Sequence, residues 1–363
     1  MSADVETGKE LPQCGQWTLL REIGRGAYGV VYLARRCDGT KAAVKVCRRE
    51  DVPPERYERE LRGAKLYGSI PRTTGLVHAG GLDEKPWGFY FAMDLADDEF
   101  GRKNPSDDAY RPRTLASVIG GEKALPLDEC VKLGIALAKG LAELQRRHFL
   151  HRDIKPGNVI YVGGEPVLSD PGLVVDEREA ASLVGTQGYD PPEGFIDPAG
   201  DLYSLGRTLK AASFGRRIED LDKGPALEAD TGAKHFPAWW RILNKASDPE
   251  PRRRYQSAKA LLKDLQSLRR KMKVAAVFGS RLSKVAIAVA VIAFAAILAM
   301  SAIQSRKFQK DTEAMYESAV RETLGDDLRS GTVPKAVKKE LDDVLKEINE
   351  LTEGISKKVS RPK

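Results

Sequence analysis

The sequence predicts an α+β protein of two lobes, strands first and helices after, followed by one apolar span and a helical tail. Three observations carry this expectation. Residues 17–49 mix β-branched and apolar side chains around turn residues, as strands do. LDECVKLGIALAKGLAELQRRH has apolar residues at 131, 133, 135, 137, 138, 141 and 144, the spacing of a helix buried on much of its surface. From Val285 to Ile303 the chain reads VAIAVAVIAFAAILAMSAI without a charge, and a membrane-crossing helix needs about 20 such residues.

Taken in order, TLLREIGRGAYGVVYLARRC and KAAVKVCRR read as strands, with Asp38-Gly39 as the turn between them. Pro53-Pro54 then opens a helix, PPERYERELRGAKLY, with prolines in its first turn and acidic residues early. WGFYFAMDLA is a further strand, and the polar DDEFGRKNPSDDAYRPR after it reads as a flexible connector between the lobes. The expected divisions are a polar extension at 1–16, a folded domain at 17–268, a basic segment at 269–284, a transmembrane helix at 285–304 and a tail at 305–363.

Arg269, Arg270, Lys271, Lys273, Arg281 and Lys284 precede the span, whereas Arg306, Lys307 and Lys310 after it are soon followed by Asp311 and Glu313. The positive-inside rule therefore puts the folded domain in the cytoplasm and the tail outside it. In the tail, Val337, Leu341, Val344, Ile348, Leu351 and Ile355 recur at alternating spacings of four and three. That seam fits a short dimerising coil or one helix of a small domain, and Gly354 weakens its last turn.

Bulk properties narrow the function classes. The 363 residues are 42% hydrophobic and 31% charged, as in globular proteins. A net charge of +7 is spread along the chain with no basic domain, which argues against a nucleic-acid partner. Cys14, Cys37, Cys47 and Cys130 show no CxxC spacing, so reduced thiols are expected in place of a zinc site or disulfide framework. MSADVETGKELPQ lacks the apolar core of a signal peptide.

Chemistry concentrates in a few motifs. Gly24-Arg25-Gly26-Ala27-Tyr28-Gly29-Val30 has the GxGxxG spacing between two strands, where glycines let a backbone approach phosphate oxygens. Alone it fits a phosphate loop or a plain glycine-rich hairpin. Lys45 lies in the next strand with Val44 and Val46 on the opposite face, and a lysine turned inward there needs an anionic partner. Glu58 and Glu60 are the candidates, with Glu60 preferred because it precedes Leu61; a solvated Lys45 is the alternative. HRDIKPGN at 151–158 could likewise be a charged surface turn.

These motifs together resemble a family. GRGAYGV, AAVK, HRDIKPGN, SDPGL and PPE occur in the order of the eukaryotic-type (Hanks-type) protein kinase motifs, over residues 17–268. The resemblance implies the two-lobed protein kinase fold, with a β-rich N-lobe and a helical C-lobe. It implies ATP held by Ile23, Gly24, Arg25, Gly26, Ala27, Tyr28, Gly29, Val30 and Val31, by Lys45, and by Met93 with the hinge residues Asp94 and Ala96. Asp153 would accept or orient the proton of the attacking hydroxyl, and Asn158 with Asp170 would hold Mg²⁺, or Mn²⁺ in its place. Lys155 would neutralise the transferred phosphoryl group and points to serine or threonine as acceptor.

The same resemblance makes Glu193 and Arg254 a buried ion pair and Asp201 the brace of the catalytic loop. Pro171 stands where the family carries phenylalanine. Ser182 alone occupies the middle of a sparse activation segment, Thr186 matches the substrate-positioning threonine, and Asp176, Glu177 or Glu179 could supply the charge that Arg152 would take from a phosphate. The expected protein is a single-pass Ser/Thr kinase of the bacterial transmembrane type in the inner membrane. Its substrates would be proteins, and a homodimer could form through the tail or the kinase domain. A pseudokinase scaffold that binds nucleotide or partners without turnover is the alternative.

Overall fold

The computed structural model describes residues 14–26, 29–120, 123–170, 174–176, 188–194, 197–215, 235–279, 289 and 291–294. The chain forms two compact units, residues 1–272 and 273–363. In the first, strands β1 (Trp17–Gly26), β2 (Gly29–Arg36), β3 (Lys41–Arg48), β4 (Ala79–Lys85) and β5 (Gly88–Met93) form an antiparallel sheet in the order β1-β2-β3-β5-β4. The β2–β3 turn closes because Asp38 accepts the Thr40 amide at 2.9 Å while Gly39 takes φ +86, where a side chain would be strained.

The alternation of strand side chains divides the sheet's two faces. Val44 and Val46 pack with Leu19, Tyr32, Tyr90 and Cys14 on one face. Ala43, Cys47, Phe89, Phe91 and Met93 join Tyr57, Leu61 and Ala64 of helix α1 (Pro54–Gly68) in the main core. That helix begins where the proline pair places its start, with Pro54 at the first helical position. β4 answers to no strand expected from the sequence: AGGLDEK carries two glycines and charges in place of β-branched residues, and its pairing with β5 forms it.

Helices α2 (Leu115–Val118), α3 (Leu127–Arg146), α4 (Pro198–Phe214), α5 (Phe236–Ala246) and α6 (Ala258–Gly279) follow. Leu133, Leu137, Leu141 and Leu144 of α3 share one core with Leu205 and Leu209 of α4, Trp239 of α5 and Leu261 and Leu265 of α6. Asp197 caps α4 by accepting the Ala199 amide at 2.8 Å, and Gly215 ends it at φ +59. Short strands β6 (Phe149–Leu150), β7 (Val159–Val162), β8 (Glu165–Leu168) and β9 (Val175–Asp176) pair as β6–β9 and β7–β8. They frame the segment containing HRDIKPGN.

The connector departs from the flexible loop expected of it. Asp98 is 5% exposed and accepts from the amides of Phe100, Arg102 and Arg111 and from the Arg102 guanidinium, closing residues 98–111 into a tight loop. Asp97 accepts the amides of Gly163 and Gly164 at 2.9 and 2.7 Å, so the same loop is fastened to the β7–β8 turn. A composition of polar and turn residues describes an ordered loop as well as a mobile one, and only these tertiary acceptors distinguish them.

Cys14, Cys47 and Cys130 are buried, and loss of solvation pushes each thiol up to about 12. Cys37 is exposed at the β2–β3 turn. Iodoacetamide at neutral pH should therefore modify Cys37 and spare the other three until the chain is unfolded. Mass spectrometry of the folded protein checks this, and rapid native labelling of Cys47 would contradict the packing of β3.

Among the described residues no helix is long and apolar enough to cross a membrane. The expected span at 285–304 lies outside them except at 289 and 291–294, and the heptad tail lies wholly outside.

Candidate active site

Lys45 is 4% exposed, and its ammonium lies between the carboxylates of Glu60, with which it is paired, and Asp170, at 2.5 Å. β3 carries the lysine, α1 the glutamate, and the segment after β8 the aspartate. Of the two candidate glutamates the structure brings Glu60 to Lys45. Glu58 points to Arg49 at the surface, 3.9 Å away. Burial alone would favour a neutral Lys45, but the two carboxylates outweigh it and hold the ammonium charged, above the usual lysine range. Burial raises the Glu60 carboxyl. For Asp170 the burial penalty is overcome by Lys45, and its carboxyl falls below the ordinary value.

Gly29 shows why the loop before this lysine needs glycine. A Cβ there would sit 2.7 Å from the Val46 carbonyl oxygen and 3.5 Å from Lys45 Cε. Gly24, Arg25 and Gly26 lie at the end of β1, Val30 and Val31 on β2, with Val31 directly opposite Lys45. Ile23 and Val31 pack against the main core, and Arg25 pairs with Glu22. Ala27 and Tyr28 lie outside the described residues.

The loop at 151–158 is drawn into shape by one buried carboxylate. Asp201 of α4 accepts the amides of His151 and Arg152 at 2.7 and 2.8 Å, and Arg152 adopts φ +68. Burial drives the Asp201 carboxyl upward against these two donors. Beyond the turn, Asn158 Nδ2 donates to Asp153 Oδ2 at 2.6 Å and to the Asp153 carbonyl at 2.9 Å, while Lys155 Nζ lies 2.9 Å from the same carboxylate oxygen. Ser169 donates its amide and its hydroxyl to the Asn158 carbonyl, at 2.8 and 3.0 Å, which joins this loop to the residue before Asp170. The Val77 amide donates to the Leu168 carbonyl and the Leu168 amide to the Gly75 carbonyl, at 2.8 and 3.0 Å, and Asp170 itself sits at φ +61.

The donor set fits Mg²⁺. With its Nδ2 committed to Asp153, Asn158 has an amide oxygen left as a hard ligand, and Asp170 adds one carboxylate. Mg²⁺ characteristically takes one or two protein oxygens, substrate phosphates and water. Among the described residues no group of three or more His, Cys, Asp or Glu able to hold a metal occurs.

At the hinge, Met93 lies in the core opposite Ala43 and Ala79, and the Asp94 amide donates to the His78 carbonyl at 3.0 Å. The Asp94 carboxylate is held by Arg72 through two bonds of 2.7 and 2.9 Å. The amide and the carboxylate of Asp94 are thus both engaged within the chain. Arg72 was not singled out by sequence, because no motif spacing connects positions 72 and 94.

Arg254 and Glu193 do meet. The guanidinium makes two bonds of 2.5 and 2.8 Å to the carboxylate, donates to the Asp248 and Pro249 carbonyls at 2.6 and 3.0 Å, and lies over the Tyr203 ring at 4.7 Å. Arg254 is buried but Glu193 remains 21% exposed, so Arg254→Ala would leave these acceptors unpaired with water able to reach the carboxylate, and a loss of about 1–3 kcal/mol in urea unfolding is expected. Arg254→Lys should recover only part of it, since an ammonium cannot bind both oxygens in parallel. Asp176 sits on β9 opposite Phe149, whereas Pro171, Glu177, Glu179, Ser182 and Thr186 lie outside the described residues.

Comparison with known proteins agrees with this geometry. Residues 17–277 match the protein kinase domain family. The chain is 29% identical over 216 residues to the serine/threonine-protein kinase AfsK of Streptomyces griseus, covering 55% of this chain and 24% of that one. It is 30% identical over 223 residues to the serine/threonine-protein kinase PknK of Mycobacterium tuberculosis, covering 58% and 19%, and 27% identical over 216 residues to the probable serine/threonine-protein kinase PkwA of Thermomonospora curvata, covering 56% and 26%. The chain thus spans about a quarter or less of the length of these relatives. With the lysine, glutamate and two aspartates gathered as described and more than half its length matched, the chain belongs to the protein kinase domain family.

Proposed function

We propose that the protein is a Ser/Thr protein kinase, transferring the γ-phosphoryl group of ATP to protein hydroxyls. The observation that carries this reading is the convergence of two clusters, Lys45–Glu60–Asp170 and Asp153–Lys155–Asn158, joined through Ser169. A buried ammonium kept charged by two carboxylates is suited to the α- and β-phosphates. Bound Mg²⁺ would offset phosphate charge between Asn158 and Asp170.

The chain's own groups do the rest. Asp153 accepts the proton of the attacking hydroxyl at its carboxylate, which Asn158 and Lys155 hold in place. Lys155, fixed beside it, stabilises negative charge on the transferred group. Little covalent chemistry falls to the protein; positioning and charge neutralisation supply the acceleration.

The reading also includes single-pass anchoring through 285–304, with the folded domain at 17–268 and the basic segment at 269–284 in the cytoplasm and the tail at 305–363 beyond an inner membrane. Its support is the uncharged run, the basic residues before it, and the exposure of Val291 and Phe294, at 44% and 62%. A reporter fused to the C-terminus and active only outside the cytoplasm should score positive; activity confined to a cytoplasmic reporter would overturn the topology.

The direct test of the activity uses the purified full chain with γ-labelled ATP, Mg²⁺ and a general protein acceptor. Label recovered as phosphoserine or phosphothreonine is expected. Nucleotide binding without transfer would favour the scaffold reading, and label on tyrosine would overturn the acceptor class.

A further inference from the structure

The connector makes contacts that neither the motifs nor the family match accounts for. Its residue Asp107 touches three neighbouring strands at once. The Asp107 carboxylate pairs with Arg35 of β2 and lies 2.8 Å from Lys41 of β3, and these two residues face each other across the β2–β3 ladder. The Asp107 carbonyl accepts from Arg21 Nε of β1 at 2.6 Å. The same Arg21 donates to the Tyr110 carbonyl, and the Tyr110 hydroxyl donates to the carbonyl of Ala96, a hinge residue, at 3.0 Å. Tyr110 is buried, whereas the ionic contacts around Asp107 are partly exposed.

The three strands so tied are those that carry the glycine loop and Lys45: β1 ends in Gly24 and Gly26, β2 starts at Gly29, and β3 bears the lysine. A sheet that rocks against the hinge widens or narrows the space above a nucleotide. A tie from the far end of those strands to the hinge limits that rocking. We propose that Asp107 and Tyr110 are positioning residues for nucleotide binding, which tie β1, β2 and β3 to the hinge through Arg21, Arg35 and Lys41. This rests on reading the Lys45 site as an ATP site. Neither residue touches the reacting groups; both act by sparing the nucleotide the cost of ordering the strands around it.

Isolated exposed ion pairs contribute little, but one carboxylate shared by two cations, with a main-chain bond to a third strand, is a network. Cutting it should weaken ATP binding modestly and leave the phosphoryl-transfer step alone. The experiment measures MgATP affinity by equilibrium titration of the full chain, with KM and kcat in parallel. Asp107→Ala is expected to raise Kd and KM for ATP about 3- to 10-fold with kcat within about 2-fold, because only the ordering of the strands is lost. Raising salt to about 0.5 M should weaken the parent's ATP binding toward the variant's and leave the variant the less affected of the two.

Asp107→Glu, which keeps the charge, should recover much of the affinity, and Asp107→Asn should not. Tyr110→Phe should shift KM the same way, because it releases Ala96. Unchanged Kd in Asp107→Ala at low salt, with the variant folded by circular dichroism, would overturn the proposal. Hydrogen exchange keeps it separate from the kinase reading. If the parent binds no nucleotide, the kinase reading fails, and the tie is judged by exchange in β1–β3: faster in Asp107→Ala supports it, equal rates refute it.

Discussion

Replacing Asp153 with asparagine should lower the rate of phosphoryl transfer by about 10²- to 10⁴-fold, with ATP affinity close to the parent's. The structure makes this substitution selective. An asparagine at 153 can present its amide oxygen where Asp153 Oδ2 now accepts from Asn158 and Lys155, so the loop geometry has no reason to change. What disappears is the carboxylate that takes the hydroxyl proton. Asp153 lies in the loop that Asp201 holds from α4, and in the variant Lys45 keeps its own partners Glu60 and Asp170, so nucleotide binding should persist. Steady-state rates and a nucleotide titration on the same preparation check both halves. Transfer at the parent's rate would show that another group accepts the proton.

Lys45→Met has a double consequence, on transfer and on stability. Transfer should fall by at least about 10²-fold, the scale of losing one charged donor from a transition state. The variant should also unfold more easily by about 3–5 kcal/mol, because Glu60, 1% exposed, would keep a buried charge without its partner. Glu60 can escape by taking a proton, and its carboxyl is already raised by burial.

The sign of the pH dependence follows. A carboxyl raised in the folded state binds a proton that the unfolded chain has released, so the variant gains stability as pH falls toward the ordinary glutamate range and loses it as pH rises through the folded value. The double variant Lys45→Met, Glu60→Met replaces both charges by apolar groups. It should regain most of the stability at neutral pH and none of the activity. Denaturant unfolding at two pH values distinguishes these outcomes; a single variant as stable as the parent would mean that water, not Lys45, satisfies Glu60.

Much of the fold was legible because strand and helix periodicities are local. Val44 and Val46 alternate against Ala43 and Cys47 on β3, and the α3 leucines repeat on one side, so each element declared its buried face. β4 was not legible. Its glycines and charges carry no strand signal, and it exists through pairing with β5. The connector was misjudged for a related reason: the five donors that Asp98 satisfies come from residues 100, 102 and 111, and nothing in a polar composition says that a carboxylate will be buried among them.

For the site, the sequence by itself determined which residue types are present and in what order: the glycine loop, Lys45, the loop at 151–158, Asp170 and Glu193. Those are short-range statements, each motif being set by the conformation of a few consecutive residues. Only the tertiary structure decided the partnerships. It took Glu60 over Glu58 for Lys45, turned the Asp94 side chain to Arg72, and brought Asp107 onto three strands at once. The physical reason is that a buried charge finds its partner through the packing of separate elements, and that packing depends on contacts between residues far apart in the chain.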